Sequence, residues 1–135
     1  KYIFCKMIIL KAVHHIAIIC SNYPLSKKFY TEVLGFTVEA EHYRSERNSY
    51  KLDLKLGNRY CIELFSFPAS PPRVSNPEAC GLRHLAFEVT DLDSAIAWLI
   101  KNSVEPESVR TDEYTGKRFT FFPDPDGLPL ELYEL

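Results

Sequence analysis

The stretch Arg83-His84-Leu85-Ala86-Phe87-Glu88 follows His14-His15-Ile16-Ala17-Ile18-Ile19 by 69 residues and keeps its order of His, large apolar residue, Ala, large apolar residue. Near the end of each half, Ile62-Glu63-Leu64 returns 68 residues later as Leu130-Glu131-Leu132. Shared order at nearly equal spacing is the mark of one fold unit used twice. The residues between support this. Val13 to Ile19 is a short β-branched run, and from Tyr23 to Leu34 the apolar positions change to helical spacing, with Leu25, Phe29, Tyr30, Val33 and Leu34 on one stripe. Ser21 or Asn22 can cap that helix, and Gly35 tolerates the positive φ that closes it. In the second half His84 to Val89 is the strand, Thr90 or Asp91 the cap, and Leu92, Ala95, Ile96, Leu99 and Ile100 the stripe. Three extended segments follow each helix, at 36–42, 50–56 and 60–65 and then at 105–110, 118–122 and 128–133. Gly57-Asn58 and Asp126-Gly127 turn the chain into the last strand of each set.

The expected fold is therefore α+β: two βαβββ modules, about 11–66 and 81–134, in a single domain spanning 7–135. Residues 67–80 read as a Pro-rich connector. One helix covers only one face of each sheet, so the two concave faces are expected to close on one another. A module of this size is marginal alone.

Composition bounds the function. With 46% hydrophobic and 25% charged residues the chain of 135 can bury a core, and disorder is excluded. A net charge of -2 gives no footprint for nucleic acid or an anionic membrane. No run approaches the roughly 18 apolar residues of a membrane span. Cys5, Cys20, Cys61 and Cys80 are scattered without a CxxC pair, which argues against a zinc knuckle and fits a reducing, cytoplasmic setting. The single methionine is Met7 and the chain begins at Lys1, so residues 1–6 are expected to be a leader foreign to the natural sequence.

Strand alternation makes the repeat a site. If the helices cover Ile16/Ile18 and Leu85/Phe87, then His15 and His84 look into the concavity. Glu63 and Glu131, each between two apolar neighbours, turn inward by the same parity. Two imidazoles and two carboxylates suit a late first-row divalent ion, and carboxylates buried without such a partner are costly. The bland alternative has the histidines partly buried at strand ends, with each Glu paired to Arg44, Arg59 or Arg118 at a rim.

Four motifs in order, VHHIAII around His15, YCIELF around Glu63, GLRHLAF around His84 and DPDGLPLELYE around Glu131, resemble the vicinal-oxygen-chelate superfamily (glyoxalase I, bleomycin resistance protein, dioxygenase), especially the bacterial glyoxalase I-like branch. The resemblance covers residues 10–134. It implies a metal-centred concave sheet, with one divalent ion per site, zinc or nickel, held by His15, Glu63, His84 and Glu131. It also implies a lyase or isomerase acting on a small molecule with neighbouring oxygens, such as a thiol hemithioacetal, with Glu131 ahead of Glu63 as the proton-transferring base. A homodimer fits the resemblance, as does completion of the site within one chain.

Arg73, Arg83, Lys117 and Arg118 are candidates for holding an acidic substrate, Phe119 and Phe121 for a pocket wall, and Tyr43-Arg44 is ambiguous. The competing readings are a noncatalytic small-molecule binding or resistance protein, an epimerase, and an extradiol dioxygenase. The full quartet disfavours the first, and its fourth protein ligand disfavours the last.

Overall fold

The computed structural model describes residues 6–135, so Cys5 and nearly all of the expected leader lie outside the described residues. The first module runs β1 (Ile16–Cys20), α1 (Tyr23–Lys28), β2 (Thr37–Arg44), β3 (Ser49–Leu56) and β4 (Arg59–Ser66). The second runs β5 (Leu85–Val89), α2 (Leu92–Lys101), β6 (Arg110–Thr111), β7 (Arg118–Pro123) and β8 (Pro129–Glu134). Each forms a four-stranded mixed sheet, ordered β1-β4-β3-β2 and β5-β8-β7-β6. The registers match: Ala17 pairs with Glu63 across the parallel β1/β4 ladder, and Ala86 with Glu131 across β5/β8. The α+β architecture of two βαβββ units is thus realised.

Local signals place the helices. Asn22 caps α1, its Oδ1 accepting the Leu25 N–H at 3.1 Å, and Asp91 caps α2 through Ser94. Past Lys28 the first helix widens into a π-helical turn, Phe29–Val33, where a uniform α-helix was expected. Its ladder bond runs from Leu34 N–H to Phe29 O, and the extra residue per turn lets both Phe29 and Tyr30 enter the core. Gly35, at φ +80, ends it. A second difference is β6, two residues long where 105–110 was expected to be extended. Pro106 has no N–H to give the ladder, and the Glu107 carbonyl is taken by the Thr120 hydroxyl at 2.7 Å.

The packing of the modules departs most from expectation. Their helix-covered faces, not their concave ones, share a single core: Phe36 meets Phe87 and Phe29 meets Phe122, with ring centroids 5.8 and 6.5 Å apart. The Trp98 indole N–H on α2 donates to Val33 O at 2.8 Å. The Tyr30 hydroxyl reaches across to Asp124 at 2.9 Å, where the carboxylate also accepts the Asp126 and Leu128 N–H groups. Apolar burial explains the preference. Leu52, Leu54, Ile62, Leu64 and Leu130 lie on the helix side and are fully buried, each contributing about 1.5–3 kcal/mol, whereas the opposite faces carry the polar residues. Those faces stay open within the chain.

Candidate functional site

Both histidines sit one residue before a first strand, His15 ahead of β1 and His84 ahead of β5. Each meets the glutamate of the neighbouring parallel strand. His15 Nε2 lies 2.5 Å from Glu63 Oε2, and His84 Nε2 lies 3.0 Å from Glu131 Oε2. The four predicted residues therefore come together as two pairs. Among the described residues no group of three or more His, Cys, Asp or Glu is gathered closely enough to hold a metal, so the pairs do not converge within the chain. This follows from the packing: the concave faces that carry them are not the faces that meet.

The surroundings of the pairs differ although the backbone repeats. On the first sheet, Glu63 is buried, 7% exposed, and its second oxygen accepts from the Lys51 ammonium at 3.0 Å. Lys51 also holds Asp53 at 2.7 Å, and these two bonds, that to Asp53 foremost, keep its ammonium above the usual lysine value. Tyr60 packs its ring against His14 and His15, and burial ahead of the charges of Asp53 and Glu63 pushes its phenol upward. His14 Nδ1 is 2.7 Å from His15 Nδ1, which fixes the ring with Nε2 turned to Glu63.

On the second sheet Phe121 and Phe119 stand where β3 has Asp53 and Lys51: Phe121 pairs with Glu131 as Asp53 pairs with Glu63, and Phe119 with Tyr133 as Lys51 with Phe65. Phe121 lies edge-on to His84, centroids 5.1 Å apart. Beside His84 opens a cavity of about 440 Å³, lined in part by Arg73, Arg83, Arg110 and Phe121. One half is thus polar and pinned by a cation, the other walled by aromatic rings.

The rim pairing weighed as the bland alternative is not what forms. Arg59 donates to the Val13 carbonyl and Arg118 clamps Glu134 and Asp93 on the far side of the second sheet, which removes Arg118 from the substrate candidates. There Glu134 also accepts the Leu92 N–H at the start of α2. Lys117 is exposed in the turn before β7, whereas Arg73 and Arg83 do line the cavity. Lys51, Asp53 and Arg110 are what sequence reasoning missed. Alternation along β3 carried the signal for the first two, since residues 51 and 53 share the face of Glu63. Burial pushes the Cys61 thiol above the usual range, outweighing the Leu56 backbone bond and the Arg59 charge that pull it down.

Residues 12–132 match the Glyoxalase/Bleomycin resistance protein/Dioxygenase superfamily. The chain belongs to that superfamily. It is 62% identical over 128 residues to the uncharacterized protein YaeR of Escherichia coli (strain K12), covering 95% of this chain and 99% of that one. It is 30% identical to the metallothiol transferase FosB of Staphylococcus haemolyticus, over 92% of this chain and 84% of the relative. Among solved structures, the glyoxalase family protein from Enterococcus faecalis superposes with a TM-score of 0.86 at 53% identity, covering 92% and 98% of the two chains. Superfamily members include metal-dependent isomerases, lyases and epimerases. No helix among the described residues is long and apolar enough to cross a membrane.

Proposed function

We propose that this chain is a divalent-metal-dependent lyase or isomerase of the glyoxalase I type, acting on a small molecule with neighbouring oxygens such as a thiol hemithioacetal. The observation that carries the reading is the twice-built pair of His Nε2 and Glu Oε2, at equivalent places on two sheets. Two nitrogens and two carboxylate oxygens fit zinc or nickel in charge and softness. The relative named a metallothiol transferase agrees with a metal and a thiol in this lineage. Because the pairs do not converge within one chain, the quartet assembles when a second copy brings its His84 and Glu131 over the first copy's His15 and Glu63. A homodimer is then part of the site.

In this reading His15, Glu63, His84 and Glu131 would hold the ion, which would supply Lewis acidity for the C–H beside the substrate's oxygens. The chain's own residues do the rest. His14 orients His15, and Lys51 keeps Glu63 still. Glu131, with Phe119 where the first sheet has the Lys51 ammonium, is the carboxylate that takes a proton from one carbon and returns it to the next. Phe119 and Phe121 exclude water from that transfer.

Turnover of hemithioacetals made from several thiols and 2-oxoaldehydes, with native and Glu131→Gln proteins matched for metal content, tests the assignment. Glu131→Gln keeps the volume and an oxygen but removes the base, and a loss in kcat of at least about a hundredfold is expected. Rapid turnover unchanged in that variant would move the base to Glu63. No turnover across the panel would end the glyoxalase reading.

A further inference from the structure

We propose that Arg44, on the concave face of the first sheet, is the anchor for an anionic group of the substrate, so that the substrate is a small acid bearing a carboxylate, phosphoryl or phosphonyl group a few bonds from its reacting oxygens. The proposal rests on the concave face being the reaction site, and deepens that reading by naming the substrate class.

Among the described residues no carboxylate pairs with this cation. Arg44 pairs with Ser49 across β2 and β3, and its Nη2 donates to the Ser49 hydroxyl at 2.8 Å. That partner is neutral. The acids of the same face are engaged elsewhere, Glu63 by His15 and Lys51 and Asp53 by Lys51. The guanidinium carbon lies 5.0 Å from the centre of the Phe65 ring and 5.7 Å from that of Phe67, two rings stacked nearly parallel, and Nε is buried with no hydrogen-bond partner among the described residues. Other arginines at the concavities are spent: Arg83 on Glu78, Arg110 on Glu107, Arg73 on the carbonyls of Leu82 and Arg83. Holding a partly desolvated guanidinium without a counter-charge is unfavourable, and the aromatic stack offsets only part of it. A planar fork with fixed orientation and unused donors is suited to a carboxylate or phosphoryl group.

Its position sets the substrate's length. Phe65, on which Arg44 rests, is two residues beyond Glu63 on the same strand face, about 7 Å along the sheet. An oxyanion on Arg44 therefore leaves the other end of a short acid at Glu63 and His15.

Calorimetric titration of the purified protein with succinate, methylphosphonate and uncharged succinamide tests this, together with the NMR signal of the Arg44 Nε–H. Succinate or methylphosphonate is expected to bind saturably and to shift that signal, the stronger of the two naming the anion, while succinamide does neither. Arg44→Met should weaken the binding at least about tenfold and Arg44→Lys restore part of it. Unchanged affinity in Arg44→Met, or no movement of the Arg44 signal, would overturn the proposal. If Arg44→Met fails to fold, the signal in the native protein decides. Arg44 acts without the metal, so the anion affinity should be the same with and without added zinc. Anion binding with no turnover on any substrate would therefore sink the catalytic reading alone, whereas equal kcat/KM for anionic and neutral substrates would sink the Arg44 assignment alone.

Discussion

The Lys51 ammonium lies 3.0 Å from Glu63 Oε1, while the corresponding place beside Glu131 is filled by the ring of Phe119. Two carboxylates at equivalent positions of a repeat are thereby made unequal, one fixed by a cation and the other set against an apolar wall. Lys51→Met leaves one oxygen of a buried carboxylate without its charged partner. It should lower stability of the metal-free protein by about 1–3 kcal/mol in urea unfolding, and Lys51→Arg should recover part of the loss. Equal stability of native and Lys51→Met proteins would show that the pair holds nothing.

His14 is expected to matter through His15. Its Nδ1 sits 2.7 Å from His15 Nδ1. Partners of this kind fix ring orientation and their loss typically weakens metal binding by about 10–100-fold. His14→Ala should fall in that range in a chelator competition, and His15→Ala should weaken binding well beyond it.

Asp124 ties the modules together and gives stability a pH dependence. Burial holds its carboxyl above the usual range, against the bonds from Leu128, Tyr30 and Asp126 that pull it down. A carboxyl whose pKa rises on folding stabilises the folded state below its unfolded pKa, about 3.9, and that contribution is lost as pH rises through the folded value. Asp124→Asn keeps an acceptor and has no charge to bury, so its stability relative to native should improve between pH 3 and pH 7 by thermal unfolding. Tyr30→Phe leaves the carboxylate short of a donor and should cost about 1–3 kcal/mol. A pH-independent difference between Asp124→Asn and native would place the titration elsewhere.

Much of this was legible in the chain because periodicity and parity are local. The repeat of His15 and Glu63 in His84 and Glu131, the caps at Asn22 and Asp91 and the inward face of β4 all follow from spacing. How the modules meet is not local. It depends on whether Phe36 finds Phe87 or the two polar faces find each other, and only the summed burial of Leu52, Leu54, Ile62 and Leu130 decides that. The same holds for Arg118, which reads as a pocket cation by its place beside Phe119 and is claimed by Glu134 and Asp93. Alternation puts Lys51 on the face of Glu63, but which neighbour a Lys51 or Arg44 side chain reaches is set by its conformation and not by spacing.

The proposed metal centre joins the His15/Glu63 pair of one copy to the His84/Glu131 pair of another. A chain carrying His15→Ala and Glu63→Gln and a second chain carrying His84→Ala and Glu131→Gln each lack half of every site. Each alone should bind zinc or nickel at least about a hundredfold more weakly than native. Unfolded together and refolded as a mixture, they form mixed dimers in which one intact quartet survives, and tight binding should return at about one ion per mixed dimer. Mixtures that bind no better than either variant would contradict a site shared between copies, and undiminished binding in the separate variants would contradict the quartet itself.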